Sequence, residues 1–185
     1  KAFIFLLLVS LMLAVFPVFA QDTATSEIVE VKWSDIEEIL ASSGIEGEFV
    51  ELEELPVKFF LPSIFLPTEL TDEDIEDGFI AYFMTEDETA SIGVQLVETD
   101  FTTLEEYADA LADMGVKDAE YANINGKLAL NYVDPDDEDI SAIAFIDDEG
   151  RILEFAFSSV SDEGFAGIAM LIGGSIQDVD AKPVL

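Results

Sequence analysis

The tightest constraint on the fold lies late in the chain, where two strand pairs are written almost back to back. Residues 121–124 and 127–133 are strand-forming runs separated only by Asn125-Gly126. Asn-Gly accepts the positive φ angles of a two-residue type I′ turn, whose twist matches that of paired strands. A second pair follows, 140–146 and 151–157 around Asp147-Asp148-Glu149-Gly150. Earlier, 47–53 and 56–61 read as one pair, and 78–84 and 90–97 as another across the turn 85–89. Strands joined by tight turns are antiparallel neighbours, so the sheet is largely antiparallel. Residues 79–84 and 142–146 are apolar at consecutive positions, the pattern of strands buried on both faces.

Three helices fit between these pairs. Ser34 and Glu37 have the spacing of a capping box, Ile36, Ile39 and Leu40 form an apolar stripe, and Gly44 ends the helix. Trp33 is placed to staple the start of that helix into the core. Thr102 or Thr103 caps a second helix, which carries Leu104, Tyr107, Ala108, Leu111 and Met114 on one face and stops at Gly115. Ser161 caps a third over 162–172, ended by Gly173-Gly174. Its glycines lower helix propensity but allow another backbone close. Residues 62–67 read as a stiff apolar loop and 69–77 as an acidic turn. The fold class that follows is α+β, a largely antiparallel sheet flanked by helices on both faces.

The first twenty residues are different in kind. Lys1 precedes an apolar run that ends at Pro17, and Val18-Phe19-Ala20 offers small residues at −3 and −1 before Gln21. That order is read by a signal peptidase. The expectation is a signal peptide over 1–20 with cleavage near Ala20, giving a secreted or extracytoplasmic protein. A retained membrane anchor is the alternative, although the run is short of the usual span of about 20 residues. A flexible lead-in over 21–32, one acidic domain over 33–178 and a frayed tail over 179–185 complete the organisation.

All 41 acidic residues follow Ala20, against 7 basic residues in the whole chain, and the net charge is −34. Such a surface repels nucleic acid and anionic membrane surfaces. Proteins and divalent cations are the partner classes left. The chain has no Cys and no His. An exported chain without Cys folds by core packing alone. His- or Cys-based zinc sites and Ser-His or Cys-His nucleophile systems are excluded. No catalytic residue stands out, and no motif calls for a cofactor.

Two segments are candidate sites. Asp134, Asp136, Asp137, Glu138 and Asp139 place five carboxylates within six residues. Ca²⁺ takes six to eight oxygen ligands, so this loop is the metal candidate, although it lacks the EF-hand glycine and terminal glutamate. The alternative is a solvated loop. Phe59, Phe60, Ile64, Phe65 and Leu66 form an apolar run that is either a partner surface or a strand entering a packed loop. A paired-carboxylate hydrolase is a third possibility in principle, but with 41 carboxylates a pair carries no information.

The element order, with its Trp-led first helix, the run Phe59-Phe60-Leu61-Pro62, the helix Leu104-Glu105-Glu106-Tyr107 and two late hairpins, resembles the PsbP-like α/β/α sandwich. It also resembles uncharacterised exported bacterial proteins of that build. The resemblance spans most of 33–177 and implies a binding or assembly factor rather than an enzyme. It assigns no residue a role. The function expected is an exported non-enzymatic binding module, with a cation-binding acidic envelope protein as the alternative.

Overall fold

The computed structural model describes residues 28–52, 55–97, 99–147 and 149–181. The expected signal peptide, 1–20, lies outside the described residues, as do 21–27 and 182–185. In chain order the elements are β1 (Val29–Val31), α1 (Trp33–Ser43), β2 (Gly47–Glu51), β3 (Val57–Pro62), β4 (Phe65–Pro67), α2 (Asp72–Glu76), β5 (Phe79–Thr85) and β6 (Ser91–Val97). Then come α3 (Leu104–Met114), β7 (Glu120–Ile124), β8 (Lys127–Val133), β9 (Ile140–Ile146), β10 (Ile152–Ser158), α4 (Glu163–Ser175) and β11 (Gln177–Asp178).

The large sheet has eight strands in the order β1-β7-β8-β9-β10-β6-β5-β4, and a small one runs β11-β3-β2. Among the described residues every pairing is antiparallel except β1 with β7. Both late hairpins form: Ile124 lies opposite Lys127 as expected, while in the second Ile152 rather than Arg151 lies opposite Ile146, because the Asp147 N–H donates to Arg151 O and draws both residues into the turn. Side chains alternate across each strand, so β10 supplies two cores at once. Leu153, Phe155 and Phe157 enter one, and Ile152 enters the other.

The first core lies between the large sheet and a layer made of α4 and the small sheet. Phe59 of β3, fully buried, stands edge-on to Phe83 and Phe155 with ring centroids 5.8 and 5.2 Å away. Burying a side chain of this size is worth about 1.5–3 kcal/mol. The glycines of α4 bring its backbone close: a Cβ at Gly173 would lie 2.3 Å from Ile143 Cδ1, and one at Gly174 2.7 Å from Ile36 Cδ1. They sit inside the helix rather than ending it, because α4 runs on to Ser175. Ser175 Oγ then accepts the Phe60 N–H at 2.7 Å and so ties α4 to β3.

Several ends differ from expectation for one reason: the partner that satisfies them is distant in sequence. No side chain local to α1 caps it; the Trp33 N–H donates to Asn125 Oδ1, and Ser34 only reaches Asp35. Asp162, not Ser161, caps α4, accepting from the N–H groups of Gly164 and Phe165. Val29–Val31, within the expected lead-in, is a strand because β7 offers it a free edge. Val179, in the expected frayed tail, donates to Pro56 O at 3.0 Å and accepts from Lys58 Nζ at 2.8 Å. The acidic stretch 69–77 contains α2, closed by a capping box between Thr71 and Asp74. Met114, expected on the buried stripe of α3, is exposed.

Asn125 therefore does more than turn the hairpin. It sits at φ 52, and its Nδ2 donates to Gly174 O at 3.0 Å and Ile176 O at 2.8 Å while its Oδ1 caps α1. One side chain joins the β7–β8 turn to α1 and to the end of α4. Asn125→Gly keeps the backbone angle and removes the clamp. It is expected to lose about 2–3 kcal/mol in urea unfolding, from three hydrogen bonds at about 1 kcal/mol each. A loss below about 0.5 kcal/mol would show that the clamp contributes nothing.

Candidate functional site

The second face of the large sheet is only half covered. α3 has 11 residues, about 16 Å at 1.5 Å per residue, whereas eight strands at roughly 4.8 Å spacing span about 34 Å. Its Leu104, Tyr107 and Leu111 pack onto Leu130, Tyr132, Ala142, Ala144 and Ile152. Those residues belong to β8, β9 and the start of β10. β6, β5 and β4 lie beyond them.

Cross-strand partners point to the same side of a sheet, so the register lays out this face in rows. One row is Ala144, Glu154, Gln95 and Phe79. The next is Tyr132, Ala142, Ala156, Gly93 and Tyr82. In the third, Met84 lies between Ser91 and Leu66. Phe79, Tyr82 and Met84 are half-buried, Leu66 is 52% exposed, and none of the four joins either core. The apolar run at 79–84 is therefore not buried on both faces as its composition suggested. Ile80, Ala81 and Phe83 pack into the first core, and the other side chains form a ledge.

That ledge is held in place. Gly93 leaves room for it, since a Cβ there would lie 2.6 Å from the Phe79 ring. Phe79 and Tyr82 meet edge to face at 6.2 Å. Tyr82 Oη donates to Ser91 Oγ at 2.8 Å, and Ser91 Oγ lies 2.9 Å from Ser158 Oγ.

Where the covered half meets the open half sits Glu154, only 8% exposed. Its Oε2 accepts a hydrogen bond from Tyr107 Oη at 2.8 Å and a short one from Tyr132 Oη. A buried carboxylate is tolerated when donors meet it, and two phenols do so here. Burial first, and then the Glu154 charge, push both phenols well above the ordinary tyrosine range, so they remain donors. Oε1 takes no hydrogen bond among the described residues. Every fully enclosed side-chain oxygen and nitrogen among those residues has a partner, so Oε1 is the part of Glu154 still within reach of solvent. Sequence reasoning did not single out these three residues. The available signal was a lone acid in the apolar run Ile152-Leu153-Glu154-Phe155-Ala156-Phe157.

The residues singled out from sequence fall elsewhere, with one exception. Phe59, Phe60 and Phe65 are buried and take no part in a surface; Ile64 is exposed in the turn between β3 and β4. Leu66 is the exception, since it lies on the half-open face. In the acidic loop, Asp134 Oδ1 accepts from the N–H groups of Asp136 and Asp137, and Asp137 Oδ1 from that of Asp139. Asp139 Oδ1 accepts from Ser161 N–H, and the Ser161 hydroxyl and N–H hold its carboxyl below the ordinary range. Asp136, Asp137 and Glu138 are exposed. Among the described residues no three carboxylates converge on one point. A cleft lined by Phe65, Phe157, Phe165 and Ile172 has a cavity volume of about 10 Å³, room for little more than a water. Small-molecule sites usually exceed about 300 Å³.

No family model matches the chain, and no curated protein matches it. Among solved structures, the solution structure of cyanobacterial PsbP (CyanoP) from Synechocystis sp. PCC 6803 superposes with a TM-score of 0.52 at 12% identity. The match covers 88% of this chain and 99% of that one. The fold is PsbP-like. The expected α+β sandwich is therefore present, with the β2-β3-β11 sheet sharing the α4 layer. Within this PsbP-like frame, the half-open face beside α3 is the candidate site.

The phenols give a pH test. A group whose folded pKa is raised stabilises the fold below its unfolded pKa and loses that contribution as pH rises. The unfolded value is 10.0 here, so the window opens above pH 10. Tyr132→Phe is expected to be less stable than wild type near pH 9, and its deficit to shrink by about 1.4 kcal/mol by pH 11. A deficit in urea unfolding that stays constant over that range would contradict the arrangement.

Proposed function

We propose that the chain is an exported, non-enzymatic binding or assembly module whose working surface is the half-open face of the large sheet. One observation carries this reading: Leu66, Phe79, Tyr82 and Met84 form an ordered apolar ledge outside both cores. Contiguous apolar surface on a soluble domain marks interaction sites, and a chain of net charge −34 has ample polar side chains to cover it with. Rival readings have less support. The carboxylates of the 134–139 loop accept from N–H groups of their own turn or of Ser161, or are exposed, which does not favour a cation site. Glu154 has phenols rather than a second carboxylate beside it, which does not favour a hydrolase. Among the described residues no helix is long and apolar enough to cross a membrane. The extracytoplasmic placement rests on the signal-like order of residues 1–20.

Site-specific photo-cross-linking tests the reading in cells that make the protein. Tyr82→p-benzoylphenylalanine is expected to give a discrete adduct. Val133→p-benzoylphenylalanine, exposed at the far end of β8, is expected to give none. Released protein should begin at Gln21 by N-terminal sequencing. Equal cross-linking at 82 and 133, or none at 82, would count against the surface; an intact residue 1 would count against cleavage.

A further inference from the structure

The chemistry at the boundary between α3 and the open ledge says which kind of partner the face takes; this inference rests on the reading just given. We propose that Glu154 anchors one cationic side chain, a lysine or arginine, from a protein segment laid across the half-open face.

Four observations point there. Glu154 is more than nine-tenths buried, and its two phenol donors meet Oε2 alone, leaving Oε1 to accept from a further donor. No salt bridge among the described residues reaches it: Lys127 pairs with Asp178, Arg151 with Asp147 and Glu149. Its row neighbour toward the open half is Gln95, whose Nε2 is turned to Asp77 O at 2.6 Å; the next row is low, with Ala156 and Gly93 between Tyr132 on one side and Tyr82 on the other, and Phe79 lies past Gln95. A carboxylate next to a low row, with aromatic rings beyond it, suits a cation on an aliphatic stem, since ring faces attract cations and stems pack on apolar surface. Finally, acidic loops bound both ends. The β5–β6 turn carries Glu86, Asp87 and Glu88, and α2 carries Asp72, Glu73 and Asp74 at the opposite end of β5. Like charges of this density steer a basic partner in and keep acidic ones, including a second copy of the chain, away.

The size of the face argues for a protein segment over a free amine. From Glu154 on β10 to Leu66 on β4 there are three inter-strand spacings, about 14 Å in all, several times the size of one head group. Leu66 and Met84 lie at the far side of that span and have no part in holding a lone cation.

The test uses the full domain at 0.15 M salt, where exposed charges are screened within about 8 Å. The probe is a soluble peptide of alternating lysine and leucine, and its control carries ε-acetyl-lysine at each lysine. Amide shifts are followed by NMR. The lysine peptide should move Gly93, Ala156 and Tyr82, and the acetylated one should not. Glu154→Gln keeps an oxygen for both phenols and should weaken binding at least tenfold. Glu138→Gln, on an exposed loop, should change it less than twofold. Gln95→Lys sets a cation directly across from Glu154 and should block the peptide; it keeps the test decisive if Glu154→Gln does not fold. Equal weakening by Glu154→Gln and Glu138→Gln, or a Gln95→Lys protein that binds as well as wild type, would overturn the anchor while leaving the surface standing. Shifts confined to the acidic loops, with Gly93 and Ala156 unmoved, or no shifts at all, would overturn both.

Discussion

Two phenols on one carboxylate set the boundary around which the second face of this molecule is organised. Tyr107 comes from α3, Tyr132 from β8 and Glu154 from β10, so a single oxygen joins the helix to two strands of the sheet. Leaving that carboxylate without donors would cost far more than a surface hydrogen bond returns. The helix is thereby held to the β8–β10 half of the sheet. Past Glu154, Val97 at the end of β6 still packs against the α3 cluster, whereas Phe79, Tyr82, Met84 and Leu66 on β5 and β4 join neither core.

The other face shows that this asymmetry is not a shortage of apolar residues. There α4 and the small sheet together form a full layer, with Phe59 wedged against Phe83 and Phe155 and the glycines of α4 admitting Ile143 and Ile36. Asn125 locks that layer by joining α1, the β7–β8 turn and the end of α4. One face is thus closed by long-range packing and a long-range cap. The other carries a short helix and a rigid aromatic ledge. The charge distribution fits the same division, since the acidic residues lie in loops and on the exposed sides of the helices, and Leu66, Phe79, Tyr82 and Met84 form an uncharged ledge beside Glu154.

Strand pairing was legible in the residues because turn chemistry is local: Asn125-Gly126 and Asp147–Gly150 determine their own hairpins, and Gly115 and Gly44 end their own helices. Misread ends were those completed from far away. Asn125 caps α1 across 92 positions, and β1 exists only because β7 has an edge to pair with. The candidate face was hidden for a different reason. A run such as Phe79-Ile80-Ala81-Tyr82-Phe83-Met84 reads the same whether both sides are buried or one is a ledge, and only the reach of α3 separates the two. Leu66 was included for its apolar neighbours, yet Phe59, Phe60 and Phe65 around it are core. Glu154 was the readable exception, a charge placed where an apolar strand offers none.

The central claim is that the ledge on β5 and β4 stays partly open to solvent in the free protein while the β8–β10 part of the face is packed under α3. Hydroxyl-radical footprinting with mass spectrometric readout measures that directly. The structure predicts ready oxidation of Met84, Tyr82, Phe79 and Leu66, with Phe59, Phe155 and Tyr107 protected. Protection of the four ledge residues equal to that of Phe59 and Phe155 would contradict it.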